Sequence, residues 1–138
     1  MKYLGLDIGD KRIGISISLS GIMASGVETY QRINLKVDCE HIMQLCKKNG
    51  VEIIVAGLPK HLDGSHHIQA DKNEVLCQAL REYGFKIEYF DERLTSSAAE
   101  NAMLEADISR KKRKQNIDKL AATIILQDYL DSKNGGFL

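Results

Sequence analysis

The chain has 138 residues, 43% of them hydrophobic and 28% charged, which suits one domain with a real core, and its one proline and eleven glycines argue against disordered linkers. Nineteen Lys and Arg offset nineteen Asp and Glu, so net charge neither selects nor excludes a nucleic-acid partner, and the distribution of charge has to be read instead. No apolar run approaches the ~20 residues of a membrane helix, and "MKYLGLDIGD" carries no signal-peptide pattern, so a cytoplasmic domain over residues 1–138, with no membrane partner, is expected.

The stretch "KYLGLDI" is apolar with little alternation, as a strand buried on both faces would be. It ends near Asp7. Gly9 is expected to take a positive φ in a hairpin turn before "RIGISISLS". In that second strand Ile13, Ile15, Ile17 and Leu19 alternate with Gly14, Ser16 and Ser18, which predicts one buried face. "GVETYQRI" is a weaker third strand, completing an antiparallel meander. Leu35, Cys39, Ile42, Met43 and Cys46 then follow helical spacing up to Gly50. "VEIIVAGL" is a short strand and "PKHLDGSH" a loop. Ile68, Val75, Leu76, Ala79, Leu80 and Tyr83 mark a second helix closed by Gly84. "FKIEYF" is a strand running into "DERLTSS", where Thr95 or Ser96 would cap a helix through "AAENAMLEA". "RKKRK" is expected to be a connector, Asp118 to open a last helix marked by Ile117, Leu120, Ala121, Ile124 and Leu130, and "SKNGGFL" to be a loose tail. The order βββ-α-β-α-β-α-α gives an α/β fold: hairpins first, then units that favour parallel pairing.

Cys39, Cys46 and Cys77 are too few and too scattered for a disulfide framework, and no CxxC or zinc spacing is present. Cys39 and Cys46 read as the buried side of a helix.

The carboxylates are harder to explain by folding. Ligand sites of open α/β sheets gather at the carboxyl ends of parallel strands. Asp7 lies near the end of the first strand, and Asp91 and Glu92 close "FKIEYF" on a strand expected to neighbour it. Asp118 shares a helix face with Ala122 and Ile125, and small alanines at 121 and 122 would let that helix come close to the sheet. Each acid also has a plain structural reading. Asp7 suits a turn, Asp118 a helix N-terminus, and Asp91 and Glu92 a surface pair with Arg93. Together they repel unless a cation joins them, and Mg²⁺ or Mn²⁺ favours such oxygen donors. The basic run Arg110, Lys111, Lys112, Arg113 and Lys114 suits either phosphate or solvent.

"LGLDIGDKRIGIS", "VAGLPKHLDGS", "FDERLTSSAAE" and "IDKLAATIILQDYL" occur in the order of four signature blocks of the YqgF/RuvX family, which the chain resembles over about residues 3 to 131. The resemblance implies an RNase H-like three-layer α/β/α fold with a mixed five-stranded sheet. It implies a metal-dependent endonuclease acting on structured nucleic acid, with processing of the 5′ end of pre-16S ribosomal RNA as the expected activity. Asp7, Glu92 and Asp118 match the motif acids expected to be catalytic and to hold Mg²⁺ or Mn²⁺, with Asp91 as a further ligand. Lys11, Arg12, Arg93 and the 110–114 run would hold the nucleic-acid backbone of a ribosomal RNA precursor or branched DNA. The ribosome is an implied partner, and either a monomer or a homodimer is compatible. One departure is that Gln115 and Asn116 stand where family members often carry glycine, so the helix is expected to start earlier or the connector to be stiffer. Three alternatives stay open. The first is a Holliday junction resolvase on four-way DNA junctions. The second is a non-catalytic ribosome assembly factor. The third is a phosphotransferase-like ATP binder, since "DIGDKRIG" also resembles the phosphate-contacting hairpin of the actin and sugar-kinase fold.

Overall fold

Three antiparallel strands come first, as the alternation demands: β1 (Tyr3–Ile8), β2 (Arg12–Ser18) and β3 (Ser25–Gln31). The computed structural model describes residues 1–58, 64–91 and 110–134. After the meander come α1 (Leu35–Asn49), β4 (Ile53–Leu58), α2 (Gly64–Glu82), β5 (Lys86–Asp91) and α3 (Arg110–Lys133). The sheet order is β3-β2-β1-β4-β5, with β4 parallel to both β1 and β5. β1, β4 and β5 therefore present their carboxyl ends on one edge.

Local chemistry fixes the ends of α1. The Asn34 side chain accepts a hydrogen bond from the Val37 amide at 2.9 Å, the usual N-cap role. Gly50 ends the helix at φ 71°, a left-handed conformation that costs glycine little.

The two sheet faces carry separate cores. Leu4, Leu6, Ile8, Ile13 and Ile15 pack with Ile42 and Cys46 of α1 and with Leu76 and Leu80 of α2. Tyr3, Ile53 and Val55 pack with Ile125, Leu126 and Leu130 of α3. Each such fully buried aliphatic side chain contributes ~1.5–3 kcal/mol of transfer free energy. The result is the expected three layers, helices on both faces of a mixed five-stranded sheet, in the RNase H-like arrangement. Cys39, Cys46 and Cys77 are buried free thiols. Among the described residues no helix is long and apolar enough to cross a membrane.

Several expectations are corrected. β2 is buried on both faces, because Ser16 and Ser18 lie beneath α3. Alternation of small with large residues was the mark of a docked helix, not of solvent. β1 and β5 are not neighbours, since β4 lies between them. The 110–114 run is not a connector: α3 begins at Arg110, so Asp118 lies two turns inside the helix rather than opening it. The Gln115-Asn116 departure from the family's glycine agrees with that early start. The buried stripe of α3 is Ala122, Ile125, Leu126 and Leu130, whereas Leu120, Ala121 and Ile124 are half-buried. Gly9 is absent from the glycines of positive φ (Gly21, Gly50 and Gly84), and closeness explains it instead. A Cβ there would stand 2.9 Å from the Arg12 carbonyl oxygen, which accepts the Gly9 amide across a two-residue turn. α2 begins at Gly64, inside the expected loop. Pro59 to Asp63, the expected helix after Thr95, and the tail from residue 135 lie outside the described residues.

Candidate active site

The site begins with a groove of missing side chains. Alternation along β1 and β2 puts Gly5, Asp7, Gly14 and Ser16 on the face that α3 covers. A Cβ on Gly14 would lie 1.9 Å from the Asp118 carbonyl oxygen and 2.5 Å from its carbon. A Cβ on Gly5 would lie 2.8 Å from Leu126 Cβ, and one on Gly26 2.7 Å from Lys119 Cγ. α3 therefore rests its backbone on the sheet. Ser16 Oγ donates to the Ala122 carbonyl at 2.7 Å, in a fully buried bond that ties the helix to β2. A helix carbonyl already used within its own ladder accepts this second donor through its other lone pair.

This seat sets the Asp118 backbone one strand away from Asp7. Asp7 is the register partner of Gly14. Facing residues of an antiparallel ladder have Cα atoms ~4.5–5.5 Å apart, so the Asp118 backbone lies directly over the residue paired with Asp7. Arg12 belongs to the same face of β2, and its Nε donates to Asp118 Oδ2 at 2.6 Å. That ion pair is partly open to solvent, with side chains 26% and 25% exposed. The sequence assigned Arg12 to nucleic acid; its partner here is Asp118.

β5 ends at the same edge, with Asp91 as its last residue. Leu6 pairs with Ala56, and one step further along β4 Gly57 pairs with Phe90, the residue before Asp91. At ~4.8 Å per strand, β1 and β5 are ~10 Å apart at this level. Gly57 puts no side chain between them. Glu92 and Arg93 follow Asp91 outside the described residues. Lys11 lies in the β1–β2 turn, and Arg110 to Lys114 form the first turns of α3. Among the described residues no three His, Cys, Asp or Glu side chains gather as a metal group. Asp7 and Asp118 supply two hard oxygen donors, and a guanidinium already stands as a cation beside one of them. Hard oxygen donors suit Mg²⁺ or Mn²⁺, and the guanidinium would have to share or yield Asp118.

A second buried network steadies the turn between Asp7 and Arg12, and sequence reasoning did not find it. Asp38 of α1 is 1% exposed. Its Oδ1 accepts from Tyr30 Oη at 3.0 Å and from the Ile33 amide at 2.9 Å, and its Oδ2 from Arg32 Nε at 3.0 Å. Arg32 in turn donates through Nη1 to the Gly9 carbonyl at 3.0 Å and through its backbone amide to Lys11 at 2.9 Å. Burial alone would push the Asp38 carboxyl up. The Ile33 amide, the Arg32 guanidinium and the Tyr30 hydroxyl more than offset it, so Asp38 stays below its ordinary range. Burial, with the Asp38 bond and charge, pushes the Tyr30 phenol up to about 12. The only trace of this in the sequence is a charged residue, Asp38, on the apolar stripe of α1. An open cavity of about 580 Å³ adjoins this network and the turn, with Lys11, Asn34 and Leu35 in its wall.

Comparison with known proteins agrees with this architecture. Residues 1–132 match the family model described as "RuvX: Holliday junction resolvase". A Clostridium perfringens (strain 13) protein named "Putative pre-16S rRNA nuclease" is 50% identical over 133 residues, covering 95% of this chain and 97% of that one. A protein of the same name from Clostridioides difficile (strain 630) is 47% identical over 134 residues, covering 96% and 95%. Among solved structures, Thermus thermophilus RuvC in complex with a Holliday junction substrate superposes with a TM-score of 0.62 at 11% identity, covering 98% of this chain and 97% of that one. Fowlpox virus resolvase in complex with Holliday junction DNA superposes with a TM-score of 0.56 at 11% identity, covering 96% and 99%. Identities that low speak to the fold alone. Between the family model, the close relatives and the shared architecture, the chain belongs to the RuvX family.

Proposed function

We propose that this protein is a divalent-metal-dependent endonuclease of structured nucleic acid, acting in the cytoplasm on the 5′ end of pre-16S ribosomal RNA. The observation that carries the reading is the seating of Asp118 over Gly14, the ladder partner of Asp7. Two carboxylates carried on adjoining layers at one sheet edge repel each other, and a divalent cation shared between them would offset that repulsion. In this reading Asp7, Asp118 and Glu92, with Asp91 beside it, hold Mg²⁺ or Mn²⁺. The ions would supply water activation and charge stabilisation at the leaving oxygen.

The chain's own groups do the rest. The Gly14 contact and the Ser16 bond fix where Asp118 stands. The Arg32 bonds fix the turn that follows Asp7. Gly57 leaves room between β1 and β5 for a phosphodiester to approach. Lys11, Arg93 and the helical 110–114 run contact flanking phosphates, giving an affinity that falls as salt rises. The whole of residues 1–138 acts as one domain.

The family model's description favours a second reading, resolution of four-way DNA junctions. One experiment separates the two. The purified protein and Asp7→Asn are incubated with 5′-extended ribosomal RNA precursor and with a four-way junction, each with and without Mn²⁺. Metal-dependent cleavage that Asp7→Asn loses supports the nuclease, and the substrate that is cut chooses between the readings. Cleavage retained by Asp7→Asn refutes the site. Binding of both substrates with cleavage of neither supports a non-catalytic assembly factor.

A further inference from the structure

The ion pair between Arg12 and Asp118 places a cation where the proposed function needs a metal. We infer that Arg12 is the resident counter-ion of the site: it neutralises Asp118 while no divalent cation is bound, and it gives that carboxylate up when one binds. The inference deepens the metal-nuclease reading and rests on it.

Three features carry it. The Asp118 backbone is fixed in place, because it is wedged on Gly14, with a hypothetical Cβ only 1.9 Å from its carbonyl oxygen. Asp7 lies across the ladder from that glycine, so a second carboxylate belongs to the same stretch of the sheet. Arg12 is the member of the pair that can leave. It is the first residue of β2, next to the two-residue turn, and its side chain is 26% exposed. Among the described residues its contact with Asp118 is one charge-assisted hydrogen bond, from Nε to Oδ2 at 2.6 Å, which a competing cation can replace. Lys119, the next cation along α3, does not duplicate the role, since its stem lies along Gly26 of β3. Arg12 is thus a positioning residue and a competitor of the metal at once. It neutralises Asp118 in the metal-free protein, and it sets how much free metal is needed to displace it.

The test is direct Mn²⁺ binding, read as loss of the free-ion electron paramagnetic resonance signal, on the full chain without nucleic acid. Removing a positive charge at contact distance from a ligand should tighten binding of a divalent ion about tenfold. Arg12→Gln is therefore expected to bind Mn²⁺ about tenfold more tightly than wild type, and Arg12→Lys to stay near wild type. Arg12→Gln combined with Asp118→Asn should show no gain. Melting temperature gives a second readout: saturating Mn²⁺ should raise it more in Arg12→Gln than in wild type. Arg12→Met replaces Arg12→Gln if the latter does not fold. Equal or weaker binding by Arg12→Gln, with wild type binding normally, overturns the inference and leaves the metal reading standing. A gain that survives Asp118→Asn also overturns it. No Mn²⁺ binding by either protein overturns the metal reading, and the inference with it.

Discussion

Gly14→Ala isolates the packing of α3 from every other property of the site. The backbone at Gly14 is not among the positive-φ positions, so the strand itself accepts alanine. On propensity alone the change should stabilise by roughly 0.5–1 kcal/mol, because glycine loses more backbone freedom on folding. Packing says the opposite. The new Cβ would lie 1.9 Å from the Asp118 carbonyl oxygen, against 3.4 Å for the nearest ordinary contact, so α3 must retreat by about 1.5 Å. The obstacle is backbone and cannot rotate aside. Overpacking of this kind costs ~1–3 kcal/mol, occasionally more. The net expectation is ~1 kcal/mol of destabilisation, a fall in melting temperature of roughly 3–5 °C for a chain of this size. Since Asp118 moves with the helix, single-turnover cleavage should fall ~100-fold, the usual cost of an ångström of misplacement. Urea unfolding and a Mn²⁺-dependent cleavage assay measure the two effects separately. A Gly14→Ala protein as stable as wild type, cleaving at the wild-type rate, would refute the reasoning.

Asp38→Asn should cost ~3 kcal/mol, since it leaves Arg32 facing a neutral amide in a buried network. It should also change the acid limb of stability. The folded Asp38 carboxyl lies below its unfolded value. Its contribution is therefore complete above about pH 4 and is lost as pH falls through the folded value, so wild type should lose more stability than Asp38→Asn across that window. Equal acid slopes in urea titrations at pH 5 and pH 3 would count against the network. Ser16→Ala removes the bond to Ala122 and should cost about 1 kcal/mol; a neutral result would mean the α3 tie is replaced by other contacts. Burial pushes the Cys46 thiol up to about 12 and Cys77 to about 11, and raises Cys39 as well. A thiol reagent at pH 8 should leave all three unmodified in the native protein and label them in 6 M urea; fast native labelling would contradict their burial.

Much of the fold could be read from local pattern. Period-2 alternation marked β2, helical spacing marked α1, and Gly50 marked its end. What failed had a common cause: the missing information was about which layer touches which. Gly14, Ser16 and Ser18 look like a solvent face because small and polar residues suit water. They suit a close helix equally well, and only the position of α3 decides between the two. In the same way, nothing local says that β4 separates β1 from β5. That follows from the crossover order. The basic run looked like a loop because strong like charge discourages isolated helices, yet α3 extends through it. Of the site, Asp7 was legible as an acid on an otherwise buried strand. Its companionship with Asp118 depended on contacts 111 positions apart in the chain. Arg12 and Arg32 each belonged to an ion pair that no spacing rule reports.

That separation has a consequence during synthesis. Asp7 is made early, and the helix that completes its surroundings is made last among the described elements. At ~5–20 residues per second, translation takes roughly 6–20 s to pass from one acid to the other. Through that interval a nascent chain can hold the meander and its α1 layer, but the α3 side of the sheet stays bare. On the metal-nuclease reading, a ribosome making this protein would carry a site whose two acids are not yet in place, and competence would switch on only as α3 docks.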